Sequence, residues 1–356
     1  MVLTLDTLVL VNCGAATNNK QLLGEARSMY SLALASLRSE LASPTPEGGY
    51  FNSLLGVHML QCCELFDFLA VNRDSWRRHV SGLHAIMANT TPKERQASAE
   101  QAGWVLAKTI RVPFGLWNAL VRERGQAPIK KFTANSIQKL RKDDPDNSLL
   151  LYGLVPSVLQ RGDAIILQGR NASAEAVSGL LTELIATEGA LHQNLTEAYC
   201  KVEQKTYHQL PMDNLAASVI SFHLGPHVFG HALAFPDLLT ALEHIYYWMS
   251  LLSLQRTHLR VKASVSKRAY PFEYQYCGFD DETLISSANE YADQMCMTLP
   301  YMCLPERGYI GMICAIAPLQ LAAQWYKQSQ NWAKLKWCRA AGAAIQSKGL
   351  AEFDLC

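Results

Sequence analysis

The stretch FPDLLTALEHIYYWMSLLSLQRTHLRVK, residues 235–262, decides the fold class. Its apolar residues recur at helical spacing, so it predicts one long α-helix. Pro236 suits the first helical turn, Asp237 suits the positive end of the helix dipole, and Arg260 and Lys262 suit the negative end. At 1.5 Å per residue this helix is roughly 39 Å long, enough to cross a domain. We expect the rest of the chain to pack around this central helix.

One stripe of the central helix carries polar side chains at steps of three or four residues. Its members are Asp237, Thr240, His244, Trp248, Leu251, Gln255, His258 or Leu259, and Lys262. A continuous apolar face lies beside the stripe. Two interpretations are open, because the helix could be a core helix with one partly solvated stripe, or the stripe could form the wall of a ligand cavity.

Length and composition are those of a large globular protein. The chain has 356 residues, of which 49% are hydrophobic and 18% are charged, so it can bury a large core. Its 32 basic and 31 acidic residues give a net charge of +1. This balance provides no overall positive field for nucleic acid, and we expect no direct DNA binding. No apolar run reaches the roughly 18 residues that a transmembrane helix needs, which predicts no membrane span.

The ten cysteines contain no C-x-x-C pair, and most of them lie in apolar helical runs. This pattern favours buried, reduced thiols over a disulfide framework or a cysteine zinc site. The N-terminal apolar patch has no positive segment before it, so we do not expect a signal peptide. Together these features predict a cytoplasmic or nuclear protein.

Three histidines, His223, His227 and His231, repeat at intervals of four residues. On a regular helix they would share one face, and three imidazoles suit zinc. Pro226 and the neighbouring glycines argue against a regular helix there, so ordinary loop or interface histidines are the alternative interpretation.

Helical spacing recurs along nearly the whole chain. The predicted helices cover residues 21–41, 51–70, 75–88, 101–122, 173–205, 280–297, 310–329 and 331–347, and shorter apolar segments cover 148–159 and 164–167. Residues 43–49, 207–230 and 264–278 are predicted loops, and an exposed linker is expected near residues 140–147. No convincing strand pair is predicted. The expected fold is therefore all-α, a single large multi-helix array in one domain over residues 1–356.

Several motifs, in this order, resemble the regulatory region of fungal zinc-cluster transcription factors, the fungal-specific transcription factor domain. They are EARSMYSLALASLRSEL, LLGVHMLQCCELF, DSWRRHVSGLHAIM, FPDLLTALEHIYYW, ADQMCMTLPYMCLPERGYIGMICAIAPLQLAAQWY and WCRAAGAAIQSKGL. The resemblance covers most of residues 20–350. It implies a helical array that follows an N-terminal DNA-binding zinc cluster.

The zinc cluster of that family is missing from this sequence. It needs six cysteines in a repeated C-x-x-C-x6-C pattern, and no such spacing occurs here. The chain is therefore expected to be transcription-factor-like but unable to grip DNA in the family's way, and to carry no zinc cluster.

Basic and acidic residues around the end of the central helix suggest an anionic site. Arg256, His258, Arg260, Lys262, Lys267 and Arg268 concentrate positive charge, and Asp280, Asp281 and Glu282 follow. Carboxylates that hold Mg²⁺ beside lysine and arginine that hold phosphates are what a diphosphate site needs. The alternative is a solvated basic turn, with Asp280 to Glu282 capping the next helix.

Aromatic residues cluster along the same stretch, and aromatic faces can stabilise a carbocation. We therefore assign catalytic roles to Lys262, Trp248 and His244. Substrate binding is assigned to Lys267, Arg268, Arg260, Phe235 and Tyr247, and Mg²⁺ binding to Asp280, Asp281 and Glu282. Packing of aromatic residues in an ordinary core is the alternative.

Two function classes follow. The first is a small-molecule enzyme of fungal secondary metabolism, a lyase that cyclises a prenyl diphosphate with Mg²⁺; the comparison is by analogy with humulene-type terpene cyclases that lack the usual aspartate signature. The second is a DNA-binding-deficient regulator or co-regulator that acts through protein contacts. The expected partner of the enzyme is an apolar or diphosphate-bearing small molecule, and the sequence leaves a homodimer open.

Overall fold

The protein is described from a computed structural model, and nine α-helices and two short strands lie within the described residues. These residues are 2–42, 49–64, 66, 82, 155–200, 207–215, 217–220, 228–266, 280–350 and 355. The helices are α1 (Val2–Thr17), α2 (Lys20–Ala42), α3 (Gly49–Cys63), α4 (Val155–Gln168), α5 (Ala174–Cys200), α6 (Leu238–Ser266), α7 (Asp281–Met302), α8 (Gly308–Gln328) and α9 (Trp332–Gln346). This composition confirms the prediction of a mostly helical protein.

The strands are β1 (His208–Pro211) and β2 (His231–Ala234), and they pair antiparallel with His208 opposite Ala234. The expectation that the chain has no strand pair was wrong. Each strand has only four residues, which is too short for a period of two to stand out in the sequence. Their partners are distant along the chain, so only the tertiary fold brings them together.

The chain divides into two compact units. The first contains Met1–Arg111 and Gly342–Asp354, and the second contains Val112–Ala341 and Leu355–Cys356. Compactness alone does not separate folding domains, so the single domain over residues 1–356 stays a prediction. The predicted linker near 140–147 lies outside the described residues, as do the predicted helices at 101–122 and most of 75–88.

In the first unit, α1 packs on α2 and α3 with an unusual face. Its buried residues are Thr4, Thr7, Val11 and Gly14. Its exposed large apolar residues are Val2, Leu5 and Val9, with 69%, 47% and 51% of their surface accessible. The buried side therefore combines Val11 with two threonines and a glycine, and a row of larger apolar residues faces outward. Sequence analysis predicted no helix for residues 2–17, because a helix with this distribution lacks the usual amphipathic pattern.

In the second unit, the central helix begins at Leu238, three residues later than the sequence predicted. Asp237 precedes it, and its Oδ1 accepts a hydrogen bond of 2.8 Å from the Thr240 backbone N–H. This is the geometry of an N-terminal cap. Pro236 therefore lies before the cap and not in the first turn, where it was expected. The helix ends at Ser266, beyond the predicted end at Lys262.

The central helix α6 is buried along most of its length, as a core helix should be. It contacts α4, α5, α7 and α8. The stripe that was expected to be partly solvated is buried in its middle, where His244, Trp248, Leu251, Gln255 and His258 each have at most 5% of their surface exposed. These neighbouring helices cover the middle of the stripe as well as the apolar face, whereas Asp237 at the start of the stripe is exposed and Lys262 at its end is half-buried.

Gly162 sets the approach of α4 to the central helix. A Cβ atom at this position would lie 2.3 Å from Cγ2 of Thr257, which is closer than van der Waals contact allows. Residues 155–168 form one continuous helix, although the sequence predicted two short apolar segments there. Glycine at this contact allows the two helix backbones to lie close together.

We predict that Gly162→Ala destabilises the protein by about 1–3 kcal/mol, because the new methyl group overpacks the contact with Thr257. The matched control is Gly179→Ala on α5, where a Cβ atom meets no other atom within 4 Å. Alanine at the control position should leave stability unchanged or raise it by up to about 1 kcal/mol. Urea denaturation of both variants measures the difference, and equal stability of the two would refute the close approach.

Candidate functional site

An aromatic cluster surrounds His244 near the start of α6. The ring of Tyr207 lies 5.3 Å from the His244 ring at an interplanar angle of 90°. The rings of Phe235 and Trp248 lie 5.2 Å and 5.4 Å from the same imidazole. Phe235 also contacts Tyr301, at 5.6 Å between ring centroids. These distances are those of direct aromatic packing, so the rings of the cluster fill the space around the imidazole.

The environment of His244 keeps its imidazole neutral. Burial lowers the pKa of His244 from 6.5 to about 4, because the charged form loses its hydration. Its Nδ1 lies 2.9 Å from the Thr240 carbonyl oxygen. A carbonyl oxygen only accepts, so Nδ1 carries the proton and donates it to Thr240. Neutral imidazole in an aromatic cluster is compatible with a packing role and with a proton acceptor of low basicity.

A second polar group joins α5 to α6 on the same side of the central helix. Gln255 donates from Nε2 to Glu188 Oε1 at 3.1 Å, and His192 Nε2 lies 3.6 Å from that same oxygen. On the other side of the His192 ring, Nδ1 lies 2.6 Å from the Tyr247 hydroxyl. The four side chains therefore form two hydrogen-bonded pairs, Gln255 with Glu188 and Tyr247 with His192, and the 3.6 Å approach of His192 to Glu188 between the pairs is longer than a hydrogen bond. Half of the His192 side chain reaches solvent, with 45% of its surface exposed.

The Tyr247 hydroxyl and His192 Nδ1 share one hydrogen bond, and the tautomer of the imidazole decides which of the two atoms donates. Burial and the charge of Glu188 raise the pKa of Tyr247 well above 10. Tyr247 is therefore a very weak acid that keeps its hydroxyl proton at neutral pH.

The C-terminal end of α6 carries the ion pairs of the predicted anionic site. Lys262 Nζ forms a salt bridge with Asp281 Oδ1 at the start of α7. Arg260 Nη1 lies 3.0 Å from Asp163 Oδ1 on α4. Lys262 and Asp281 are thus one basic and one acidic residue of the two clusters that lie together in the fold. Arg260 points to a carboxylate that the sequence did not single out.

The three predicted metal ligands lie at the N-terminus of α7 and are exposed. Asp280 caps the helix, because its Oδ1 accepts a bond of 2.6 Å from the Thr283 backbone N–H. That bond is the main cause of a lowered pKa of Asp280. Asp281 pairs with Lys262, and Glu282 lies in the first turn, where negative charge is favourable. In the fold, these three residues therefore stabilise the start of α7, which is the alternative to metal binding that the sequence left open.

Among the described residues, no group of three histidine, cysteine, aspartate or glutamate side chains is placed to hold a metal ion. Mg²⁺ as a cofactor stays a prediction. His231 lies in β2, whereas His223 and His227 lie outside the described part of the chain. The hypothesis that the three histidines bind zinc therefore also stays a prediction. The helices that the structure describes include none long and apolar enough to cross a membrane.

The structure brings together only part of the set predicted from the sequence. Phe235, His244 and Trp248 meet in the aromatic cluster, and Tyr247 forms a hydrogen bond with His192. Lys267 and Arg268 lie outside the described residues. Sequence analysis missed Tyr207, Asp163, Glu188 and His192, which all contact the central helix. The spacing of Glu188 and His192, four residues apart on one long helix, was the available signal for the last two.

Comparison with known proteins adds no further information about the site. No family model, no curated protein and no solved structure matches this chain. The resemblance to the fungal-specific transcription factor domain therefore stays a prediction that rests on the motifs quoted above.

We predict that His244 contributes a pH-dependent part of the stability. The folded pKa of about 4 is below the unfolded value of 6.5, so the unfolded chain binds the proton more readily between these pH values. The contribution is complete above the unfolded pKa and is lost as the pH falls toward 4. Between pH 7 and pH 4.5 this difference amounts to about 2.5 kcal/mol.

Urea denaturation of the wild type and of His244→Phe at both pH values isolates this contribution. Phenylalanine keeps an aromatic ring in the cluster but does not titrate, so the variant should lose less stability on acidification than the wild type. Exposed His208 on β1 provides the control, and His208→Gln should follow the wild-type curve. Parallel curves for wild type and His244→Phe would show that His244 is not a buried neutral imidazole.

Proposed function

We propose that this protein is a regulator or co-regulator that acts through contacts with other proteins. The observation that carries this proposal is the outward apolar row of α1, formed by Val2, Leu5 and Val9. These residues are spaced at i, i+3 and i+7, so they share one face of the helix. An apolar face of this kind is suited to pack against a helix or groove of a partner protein.

The interior of the second unit supports the same proposal. The aromatic cluster around His244 consists of rings in direct contact, and the polar stripe of α6 is buried by its neighbours. The carboxylates predicted as metal ligands cap a helix and pair with lysine. Each of these features has a role in stabilising the fold. The resemblance to the regulatory region of fungal transcription factors, together with the missing zinc cluster, implies the same function class.

A tethering assay tests the regulator proposal. The full chain is fused to a heterologous DNA-binding domain, and transcription of a reporter with the matching operator is measured. We expect reporter transcription to change, because a regulator brought to DNA recruits its partners. The double variant Leu5→Asp, Val9→Asp should abolish this effect, since charge on the apolar row blocks a dry contact.

The matched control is Leu167→Asp on α4, which replaces an apolar residue with 87% of its surface exposed outside α1. This variant should behave as the wild type. Circular dichroism and melting temperature are measured for all three proteins, because both positions of α1 are exposed and the substitutions should leave the fold intact. A reporter that the wild-type fusion leaves unchanged would contradict the proposal.

The second candidate function is a Mg²⁺-dependent enzyme acting on a prenyl diphosphate, and one observation favours it. Lys262 and Asp281, a phosphate-binding and a metal-binding residue in the sequence-based prediction, meet in space although 18 residues separate them along the chain. A diphosphate with Mg²⁺ could replace this ion pair, with the lysine on a phosphate oxygen and the carboxylate on the metal.

We predict for this candidate that pyrophosphate with Mg²⁺ raises the stability by about 2.7 kcal/mol at 100 times the dissociation constant. Asp281→Asn should remove most of this gain, since an amide lacks the charge that holds the metal, and Lys262→Ala should weaken it. Asp163→Asn is the control, because it disrupts the Arg260 ion pair of the same helix and leaves Asp281 intact. Scanning fluorimetry gives the result, and a melting temperature unaffected by ligand would remove the diphosphate proposal.

A further inference from the structure

Two cysteine thiols from different helices lie against each other inside the second unit. Cys296 on α7 and Cys338 on α9 have their Sγ atoms 3.9 Å apart. Both residues are fully buried, with none of their surface accessible. They are 42 residues apart along the chain, so only the packing of α7 against α9 brings them together. A disulfide needs the two sulfur atoms at about 2.0 Å, which is a movement of roughly 2 Å from this contact.

A polar cluster adjoins the two thiols. The Tyr326 hydroxyl lies 3.8 Å from Cys296 Sγ and donates to Asp293 Oδ1 at 2.7 Å. Lys334 on α9 donates from Nζ to the same carboxylate at 2.6 Å. The thiols therefore lie beside ionisable groups that link α7, α8 and α9. In such surroundings a proton released by a thiol has a hydrogen-bonded route away from sulfur.

We propose that Cys296 and Cys338 form an oxidation-sensitive pair that closes into a disulfide between α7 and α9 when a peroxide reaches it. The proposal is independent of the regulator function. The geometry carries it, because the two sulfur atoms are already in contact. Among the cysteines for which the structure describes a sulfur contact, Cys296 and Cys338 are the pair in which one thiol contacts another thiol from a different helix.

The reaction balances with hydrogen peroxide as the oxidant. One thiol loses its proton, and its sulfur forms an S–O bond while the O–O bond of the peroxide breaks, which leaves a sulfenic acid and hydroxide. The second thiol then attacks the sulfenic sulfur, so that an S–S bond forms, the S–O bond breaks and water leaves. Two thiols and one peroxide give one disulfide and two molecules of water.

The resting protein should hold both thiols reduced. Burial raises the pKa of the Cys338 thiol well above 9, because the thiolate loses its hydration, so little nucleophilic thiolate is present. The pair should therefore react more slowly than an exposed thiol such as Cys13. Once formed, the disulfide would restrict the unfolded chain over a long loop, which raises thermal stability.

Peptide mapping of the full chain tests the proposal directly. The protein is treated with hydrogen peroxide, its remaining thiols are alkylated in denaturant, and the digest is analysed by mass spectrometry. We expect one cross-linked peptide that contains Cys296 and Cys338 and weighs two hydrogen atoms less than the separate peptides. Dithiothreitol should remove the cross-link. It should also return the raised melting temperature of the oxidised protein to the value of the reduced protein.

Cys296→Ala and Cys338→Ala should each abolish the cross-link. Cys303→Ala is the matched control, because Cys303 is also buried but has no thiol contact among the described residues. This variant should keep the cross-link. The wild-type map does not depend on how any variant folds. Oxidation of Cys13 without any link between Cys296 and Cys338 would overturn the proposal.

Discussion

The central constraint on this structure is the burial of α6. Its middle is enclosed by α4, α5, α7 and α8, so polar side chains there lose their hydration and need partners inside the protein. His244 donates to the Thr240 carbonyl of its own helix, Gln255 donates to Glu188, and the Tyr247 hydroxyl shares a hydrogen bond with His192. The bonds of Gln255 and Tyr247 tie the central helix to α5 and help to fix its register against that helix. A helix with the same length and a purely apolar surface would lack these specific contacts.

The ends of α6 follow a different rule because they approach solvent. Asp237 caps the N-terminus, and Arg260 and Lys262 each pair with a carboxylate on another helix. Such partly exposed pairs contribute modestly to stability, but they select which helix lies beside the end of α6. The same ion pair of Lys262 and Asp281 is therefore open to two interpretations. It closes the fold in the absence of ligand, and it provides both charges that a metal-bound diphosphate would need.

The apolar row of α1 is the surface on which the proposal of a protein partner rests. In the second unit, the polar side chains in the middle of α6 are internal and lie against other helices. In the first unit, α1 has Thr4, Thr7, Val11 and Gly14 buried, whereas Val2, Leu5 and Val9 are exposed. Exposed apolar surface is unfavourable in water, which is why we propose the contact with a protein partner at this row.

The sequence by itself determined that the protein is mostly helical and that a long central helix follows residue 235. The period of 3.6 in residues 21–41, 173–205 and 310–329 was enough to locate α2, α5 and α8, because local spacing reports which face of a helix is buried. It also placed Asp237 near the positive end of the central helix and left capping by Asp280 as an alternative to metal binding, and in the structure both aspartates cap helices.

Only the tertiary structure decided which side chains meet. The contacts of Tyr247 with His192, Lys262 with Asp281 and Cys296 with Cys338 join positions between 19 and 55 residues apart, and no local period encodes them. The burial of the polar stripe and the outward apolar row of α1 depend in the same way on where other helices pack. A sequence pattern states what a face of a helix prefers, but the neighbours that cover it are set by the packing of the whole chain.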